Sequence, residues 1–364
     1  METPSVGSGV RWRQVGIFLG LTFALTWGLN LLLWQTVGYG ASQPAIMMLQ
    51  LQMLLPALSA ILCTLFLFRD HPLFQARRRG ERACWVFYLF IAYTLAHTAT
   101  TLIALFSYDF IVLNINAVVS QAVGLAALLA VLVMRLVMGK EAFARVGLAG
   151  GRPRYWLIFG AGFVAFYGLQ TVLNMLFRLG QTVDIMALVG SGVSLPAPLL
   201  WLIVALQSVV LGPFLGLLFA FGEEFGWRGY LQSELLRLGK VRAMLVIGVI
   251  WGLWHAPVIA MGHNYPGYPA AGILLMTAYC MGLAVVLGYA VLKSGSVWLA
   301  AFLHAVNNQA ASFFLAAVYR PHHPIFSFGA GLYGVLCVWL AAVLIILLDP
   351  IWREAAVENV GNHP

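Results

Sequence analysis

Three polar clusters interrupt a chain that is otherwise overwhelmingly apolar. The first is Glu223-Glu224-Phe225-Gly226-Trp227-Arg228. On a helix, Glu224 and Arg228 are four residues apart and share a face, so they can pair. Glu223 is turned about 100° away and points elsewhere. Two adjacent carboxylates in a poorly hydrated place do not both stay ionised without help. Arg228 can hold one of them charged, and the other becomes a candidate general base. The second cluster is Trp251-Gly252-Leu253-Trp254-His255-Ala256-Pro257, with His255 well inside an apolar run. Gly252 and Pro257 flank it and permit close packing and a local break. The third runs from Gly295-Ser296-Val297-Trp298 to His304-Ala305-Val306-Asn307-Asn308. His304 and Asn308 lie four apart, meet on one helix face, and can present two donors to one oxygen atom.

Each cluster alone has an ordinary reading: a helix-end ion pair, a hydrogen-bonding imidazole, polar glue between helices. Together they amount to more. An acid, a histidine and a donor pair in a water-excluded bundle supply what amide hydrolysis requires. That is a base for water, a donor to the leaving amine, and a site for the oxyanion.

The elements that position these groups are membrane helices. The chain has 364 residues, 62% hydrophobic and only 9% charged, against about a quarter charged in a soluble domain. Apolar runs recur from Val15 almost to Asp349, each long enough to cross a hydrocarbon core of ~30 Å. Inside a bilayer the backbone must satisfy its own hydrogen bonds, and the runs lack the short alternation of barrel strands. The expected fold is all-α, a polytopic transmembrane bundle of about ten spans. These fall near 15–37, 46–68, 83–106, 117–138, 155–177, 199–222, 243–262, 271–292, 297–318 and 328–348. Alternate connections, with the two terminal segments and the span end at Arg135, then hold 18 of the 20 Lys and Arg residues, leaving only Arg178 and Arg320 on the other side. Basic residues concentrate in cytoplasmic segments, so both termini are expected in the cytoplasm.

That distribution accounts for the net charge of +8 without nucleic acid as a partner. The Arg77-Arg78-Arg79 run reads as a topology signal lying near anionic headgroups. Trp12, Tyr155 and Trp156 fit an interfacial aromatic belt. Cys63, Cys84, Cys280 and Cys337 fall in apolar runs without close spacing, so neither a disulfide framework nor a thiolate metal site is expected. The first apolar run is too long for a signal peptide's core and reads as the first span. The longest external connection is 178–198, where 190–198 has a loop's composition.

At the three clusters the chain resembles the CPBP family, the CAAX-prenyl-protease and bacteriocin-processing intramembrane endopeptidases. The family pattern is Glu-Glu-x-x-x-Arg, Phe-x-x-x-His and His-x-x-x-Asn. This chain has Glu223-Glu224-x-x-x-Arg228, Trp251-x-x-x-His255 and His304-x-x-x-Asn308 in that order, departing only with Trp251 for the commoner Phe. The resemblance covers about 199–318 as a catalytic core. Residues 1–178 and the helix at 328–348 rest on hydropathy alone.

The resemblance implies that Glu223 and His255 activate water, His304 and Asn308 hold the oxyanion, and Glu224 and Arg228 orient the motif. The substrate would be a membrane-associated peptide or protein, prenylated in part of the family, met in the lipid bilayer. The family has also been treated as a metalloprotease, with Glu223, His255 and His304 as the candidate zinc ligands here. The chain has no His-Glu-x-x-His, and a metal-free glutamate mechanism lacks no residue, so both readings stay open. Two other classes compete: a non-proteolytic immunity or scaffold protein of the same fold, and a proton-coupled transporter. The first half carries no repeat of the Glu-Glu block, which counts against the transporter.

Overall fold

The computed structural model describes residues 9–40, 42–107, 109–190 and 195–354. Its helices follow the apolar runs. They are α1 (Trp12–Gln35), α2 (Gln43–Leu62, extended by a π turn to Leu67), α3 (Trp85–Phe106), α4 (Phe110–Arg145) and α5 (Pro153–Leu176). Next come α6, a broken rod over 197–235, then α7 (Lys240–Trp254), α8 (Pro269–Ser294), α9 (Val297–Ser312) and α10 (Leu332–Leu348). Local chemistry sets several starts. Ser42, Asp109 and Ser296 cap α2, α4 and α9 through side-chain oxygens, and Pro153 and Pro269 open α5 and α8, where a missing N–H costs nothing.

The polytopic helical bundle expected from the sequence is what forms. Seven of the helices are long and apolar enough to cross a membrane: α1 to α5, the Ala197–Leu215 part of α6, and α8. The stretches expected as spans seven, nine and ten are shorter, with 15, 16 and 17 residues in regular helix. The first is cut at His255, beyond which a short helix, Ala256–Ala260, takes over. The second runs on as a π turn from Phe313 to Val318.

One departure from an all-helical chain is a pair of three-residue strands, β1 (Gly180–Thr182) and β2 (Tyr319–Pro321). They pair antiparallel, with Gln181 opposite Arg320, and the Gly180 N–H donates to the Tyr319 hydroxyl at 2.9 Å. This clip brings Arg178 and Arg320, the two exceptions to the charge alternation, to the same end of the molecule. Part of the expected 190–198 loop lies outside the described residues, as do 1–8 and 355–364.

A set of ionic contacts gathers other basic segments. Arg11, before α1, pairs with Glu234 on α6 and with Asp70 at 2.8 Å. Arg237 donates to the Gly9 carbonyl at 2.6 Å, and Lys240 to that of Ile351 at 2.6 Å. Lys293 bonds Asp349 at 2.8 Å, and together with Tyr289 it holds that carboxyl down at about 2. Thus the starts of α1 and α7 and the ends of α6, α8 and α10 meet, as the alternation of charge requires.

Two glycine pairs let α6 and α7, which bear the first two polar clusters, pack closely on α2 and α8. A Cβ on Gly222 would strike the Met53 carbonyl of α2, and one on Gly226 would meet Pro56 at 2.6 Å. On α7, a Cβ at Gly248 or Gly252 would run into the backbone of Met281 or Thr277 on α8. Both pairs have small residues four apart, the spacing that lets membrane helices touch backbone to backbone.

Candidate active site

Glu223 and Glu224 end the regular segment Leu217–Glu224 of α6, and the next seven residues, Phe225–Leu231, wind as a π helix. Such loosening recurs at functional sites, because it redirects side chains without ending the helix. The Glu224–Arg228 pair expected from helical spacing nevertheless forms, with Nη1 to Oε1 at 2.9 Å and both side chains fully buried. The same Oε1 takes the Nδ1 of His304 at 2.8 Å. Glu224 therefore ties α6 to α9. Its Oε2, and the Nε and Nη2 of Arg228, have no hydrogen-bond partner among the described residues.

Glu223 points another way, as the 100° rotation requires. Its carboxylate accepts the indole N–H of Trp251 at 2.8 Å, and the residue is only 3% exposed. Trp251 is the hub of the cluster. Its ring lies 4.3 Å under the Arg228 guanidinium, 5.5 Å from the His304 ring and 6.0 Å from the His255 ring. Its own carbonyl accepts from Nδ1 of His255 at 2.8 Å. A carbonyl only accepts, so Nδ1 carries the proton and the neutral ring's bare nitrogen is Nε2. The end of α7 at Trp254 gives His255 this geometry, and the histidine is half-buried, unlike Glu223 and His304.

On α9, His304 is buried and Asn308 is exposed. The site thus runs from the enclosed Glu224–Arg228 pair out to His255 and Asn308. The neighbouring Asn307, absent from the sequence-derived set, is buried, and its Oδ1 accepts from the hydroxyls of Tyr167 on α5 at 2.7 Å and Tyr279 on α8 at 3.0 Å. Its Nδ2 donates to Asn308 Oδ1 at 3.2 Å. Proton counting fixes this orientation. Were the Asn307 amide reversed, one phenolic proton would be shared between the tyrosines, 2.5 Å apart, and the other would have no acceptor. An orphaned donor at this depth is costly. Asn308 is thereby left with its oxygen occupied and with N–H groups that have no partner among the described residues.

The family described as Type II CAAX prenyl endopeptidase Rce1-like matches residues 198–310, from the start of α6 into α9. That stretch holds all three polar clusters in one folded unit. The match falls on the same stretch that carries the resemblance to the CPBP family. A relative, the CAAX prenyl protease 2 of Methanococcus maripaludis, is 43% identical over 53 residues, which is 14% of this chain and 20% of that protein. The chain therefore aligns with about a fifth of the relative's length. No solved structure matches it.

All six residues carried over from the CPBP pattern sit on α6, on α9 or at the end of α7. Five are joined by contacts through Glu224 or Trp251, and Asn308 adjoins them one turn past His304. The one departure from the pattern has a consequence the sequence did not disclose. A phenylalanine at 251 would pack beside Arg228 but has no N–H for Glu223. The candidate zinc ligands fare differently. Glu223, His255 and His304 form no group with metal-ligand geometry among the described residues. The Nδ1 atoms of both histidines are held by a carbonyl and a carboxylate, which is how a histidine ligating through Nε2 is ordinarily held, so it is the placement of the three residues and not their bonding that departs from a shared zinc site. No step below uses a metal.

Proposed function

We propose that this chain is an intramembrane endopeptidase of the CAAX-protease type, hydrolysing a peptide bond of a membrane-anchored peptide or protein. The observation that carries the reading is the convergence of Glu223, Arg228, His255 and His304 on Trp251. A water between Glu223 and the bare Nε2 of His255 gives up a proton while its oxygen attacks the carbonyl carbon of the substrate. The carbonyl oxygen becomes an oxyanion facing the Asn308 N–H groups and His304 Nε2. His304 keeps Nδ1–H on Glu224, so it donates at Nε2 only as an imidazolium, for which Glu224 is the counter-charge. The proton taken from water passes to the amine as the C–N bond breaks, leaving a carboxylate and a free amine.

The test is to incubate the purified protein with an internally quenched peptide ending in farnesyl-Cys-aliphatic-aliphatic-X, and with its unprenylated twin. Both are run with and without a strong zinc chelator, and product masses locate the scissile bond. Cleavage of the membrane-anchored peptide, unchanged by chelator, is the expected result. A folded protein that cuts neither peptide overturns the proposal, and full loss of cleavage on chelation overturns its metal-free form.

Two smaller effects follow from the neighbouring hydrogen bonds. Trp251→Phe keeps an aromatic ring under Arg228 but removes the donor to Glu223. A hydrogen bond to a charged group contributes about 1.5–3 kcal/mol, so kcat should fall roughly ten-fold or more, with KM unchanged. The Tyr167→Phe/Tyr279→Phe double variant removes the protons that orient Asn307. Asn308 is then free to turn its oxygen towards the oxyanion, and kcat should fall about ten-fold, again without a change in KM. Equal changes in KM and kcat, or none, would show that these groups only pack.

A further inference from the structure

Away from the polar clusters, a cleft of about 420 Å³ opens between the connection before α3 and the end of α4. Arg79, Gly80, Glu81 and Arg82 form one wall, and Val137, Met138, Ala142 and Arg145 the other. Its shape comes from Gly139, whose φ of 82° and ψ of 164° break α4 where the apolar run gives way to Lys140. Beyond the break, residues 140–145 leave the direction of the membrane-crossing part and carry Arg145 across to Glu81. Arg145 donates to the Glu81 carboxylate through Nε at 3.3 Å and Nη2 at 3.2 Å. The guanidiniums of Arg79 and Arg82 have no hydrogen bond or ion pair among the described residues, and both are exposed. Three guanidiniums thus face one carboxylate.

The other half of the lining is apolar. Val137 is 80% exposed, and it continues a strip on α4 that includes Leu136 at 82% and Val133 at 57%. A cleft with cationic groups at one end and an apolar strip leading away suits a ligand with an anionic head and a hydrocarbon tail. Its place at the end of an apolar run is the level of the lipid headgroups. Basic pockets at this level attract anionic phospholipids, and arginine binds phosphate oxygens through paired N–H groups.

We infer that this cleft binds the phosphate of an anionic phospholipid on Arg79, Arg82 and Arg145, with an acyl chain laid along Val137, Leu136 and Val133. Glu81 holds Arg145 in position between the two walls. Inorganic phosphate shares the head chemistry but has nothing to place on the apolar strip. The inference stands whether or not the protein is a protease.

Native mass spectrometry of the full chain in a non-ionic detergent tests it. The protein is titrated separately with phosphatidylglycerol, with phosphatidylcholine of the same acyl chains, and with inorganic phosphate. One phosphatidylglycerol should be retained at activation energies that strip phosphatidylcholine, and millimolar phosphate should not displace it. Arg79→Gln/Arg82→Gln should weaken that retention at least ten-fold, whereas Arg152→Gln, an exposed arginine outside the cleft, should leave it unchanged. The single variants Arg79→Gln and Arg82→Gln serve if the double variant shows altered melting. Equal retention by variant and wild type, an equal loss in Arg152→Gln, equal retention of phosphatidylcholine, or displacement by phosphate would each overturn the inference.

Discussion

Glu223→Gln should reduce peptide cleavage about a thousand-fold while leaving the protein inserted and folded. The amide has the size of the carboxyl it replaces, and its oxygen can still accept the Trp251 N–H that the structure places at 2.8 Å. Packing at this buried position therefore survives. What is lost is the group able to take a proton from water, and a positioned general base contributes about 10²–10⁴ in rate. His255→Ala should act to a similar degree if, as proposed, Nε2 takes up the same water, because Nδ1 is already committed to the Trp251 carbonyl. The double variant should be little worse than either single one, since residues that act on one water are not additive. Product formation in proteoliposomes measures all three, and melting curves show that the chain is intact. Near-wild-type cleavage by both single variants would remove the mechanism. A cellular phenotype that persists in Glu223→Gln would instead favour the non-proteolytic, scaffold-like reading of the same fold.

The parts of this site legible in the sequence are those that depend on one helix. Glu224 and Arg228 are four apart, and their pair forms even though the rod loosens to a π helix from Phe225 onwards. His255 was flagged by its position between Gly252 and Pro257, and the helix does break there. Contacts between helices were not legible, because nothing in the local pattern says which spans touch. The Trp251 bond to Glu223 joins residues 28 apart, and the His304 bond to Glu224 joins residues 80 apart. In the sequence Trp251 is an aromatic standing where the family pattern commonly has Phe. Its N–H acquires a role only once α7 lies beside α6. The family pattern points to Asn308 and is silent on Asn307, for which the two tyrosines far from any interfacial belt, Tyr167 and Tyr279, are the available sign of a buried acceptor.

The Gly222/Gly226 and Gly248/Gly252 spacings were a signal in plain view, since small residues four apart mark close helix crossings. The strand pair had no comparable signal. Each strand is three residues long, and their partners lie on connections 139 residues apart. The expected span 297–318 is wound throughout, as α helix and then π helix, whereas 243–262 meets a break: hydropathy follows the apolar run past His255, but the regular helix ends at Trp254.

The Glu224–Arg228 pair should dominate the stability of the core, and its two halves should fail differently. Glu224→Ala removes the ion-pair partner of the Arg228 guanidinium, which is fully buried and keeps, among the described residues, the face of Trp251 and the more distant Glu223 charge. Removing one partner of a buried ion pair costs about 3–5 kcal/mol, because the remaining charge has lost its compensation. Thermal or denaturant unfolding in micelles should show a loss of that size. The Glu224→Met/Arg228→Met double variant removes both charges and refills the space with apolar atoms, which in comparable buried pairs is neutral or stabilising. It should therefore recover most of what the single variant loses, and the difference gives the coupling energy by a double-mutant cycle. Activity should not recover with it. His304 would have no carboxylate at Nδ1, and without that counter-charge the ring cannot hold the second proton it needs to donate to an oxyanion. A single variant as stable as wild type would show the pair to be incidental to folding. A stable double variant with full activity would show that Glu224 does not hold His304 for catalysis, and the oxyanion site would then have to be built on Asn308 alone.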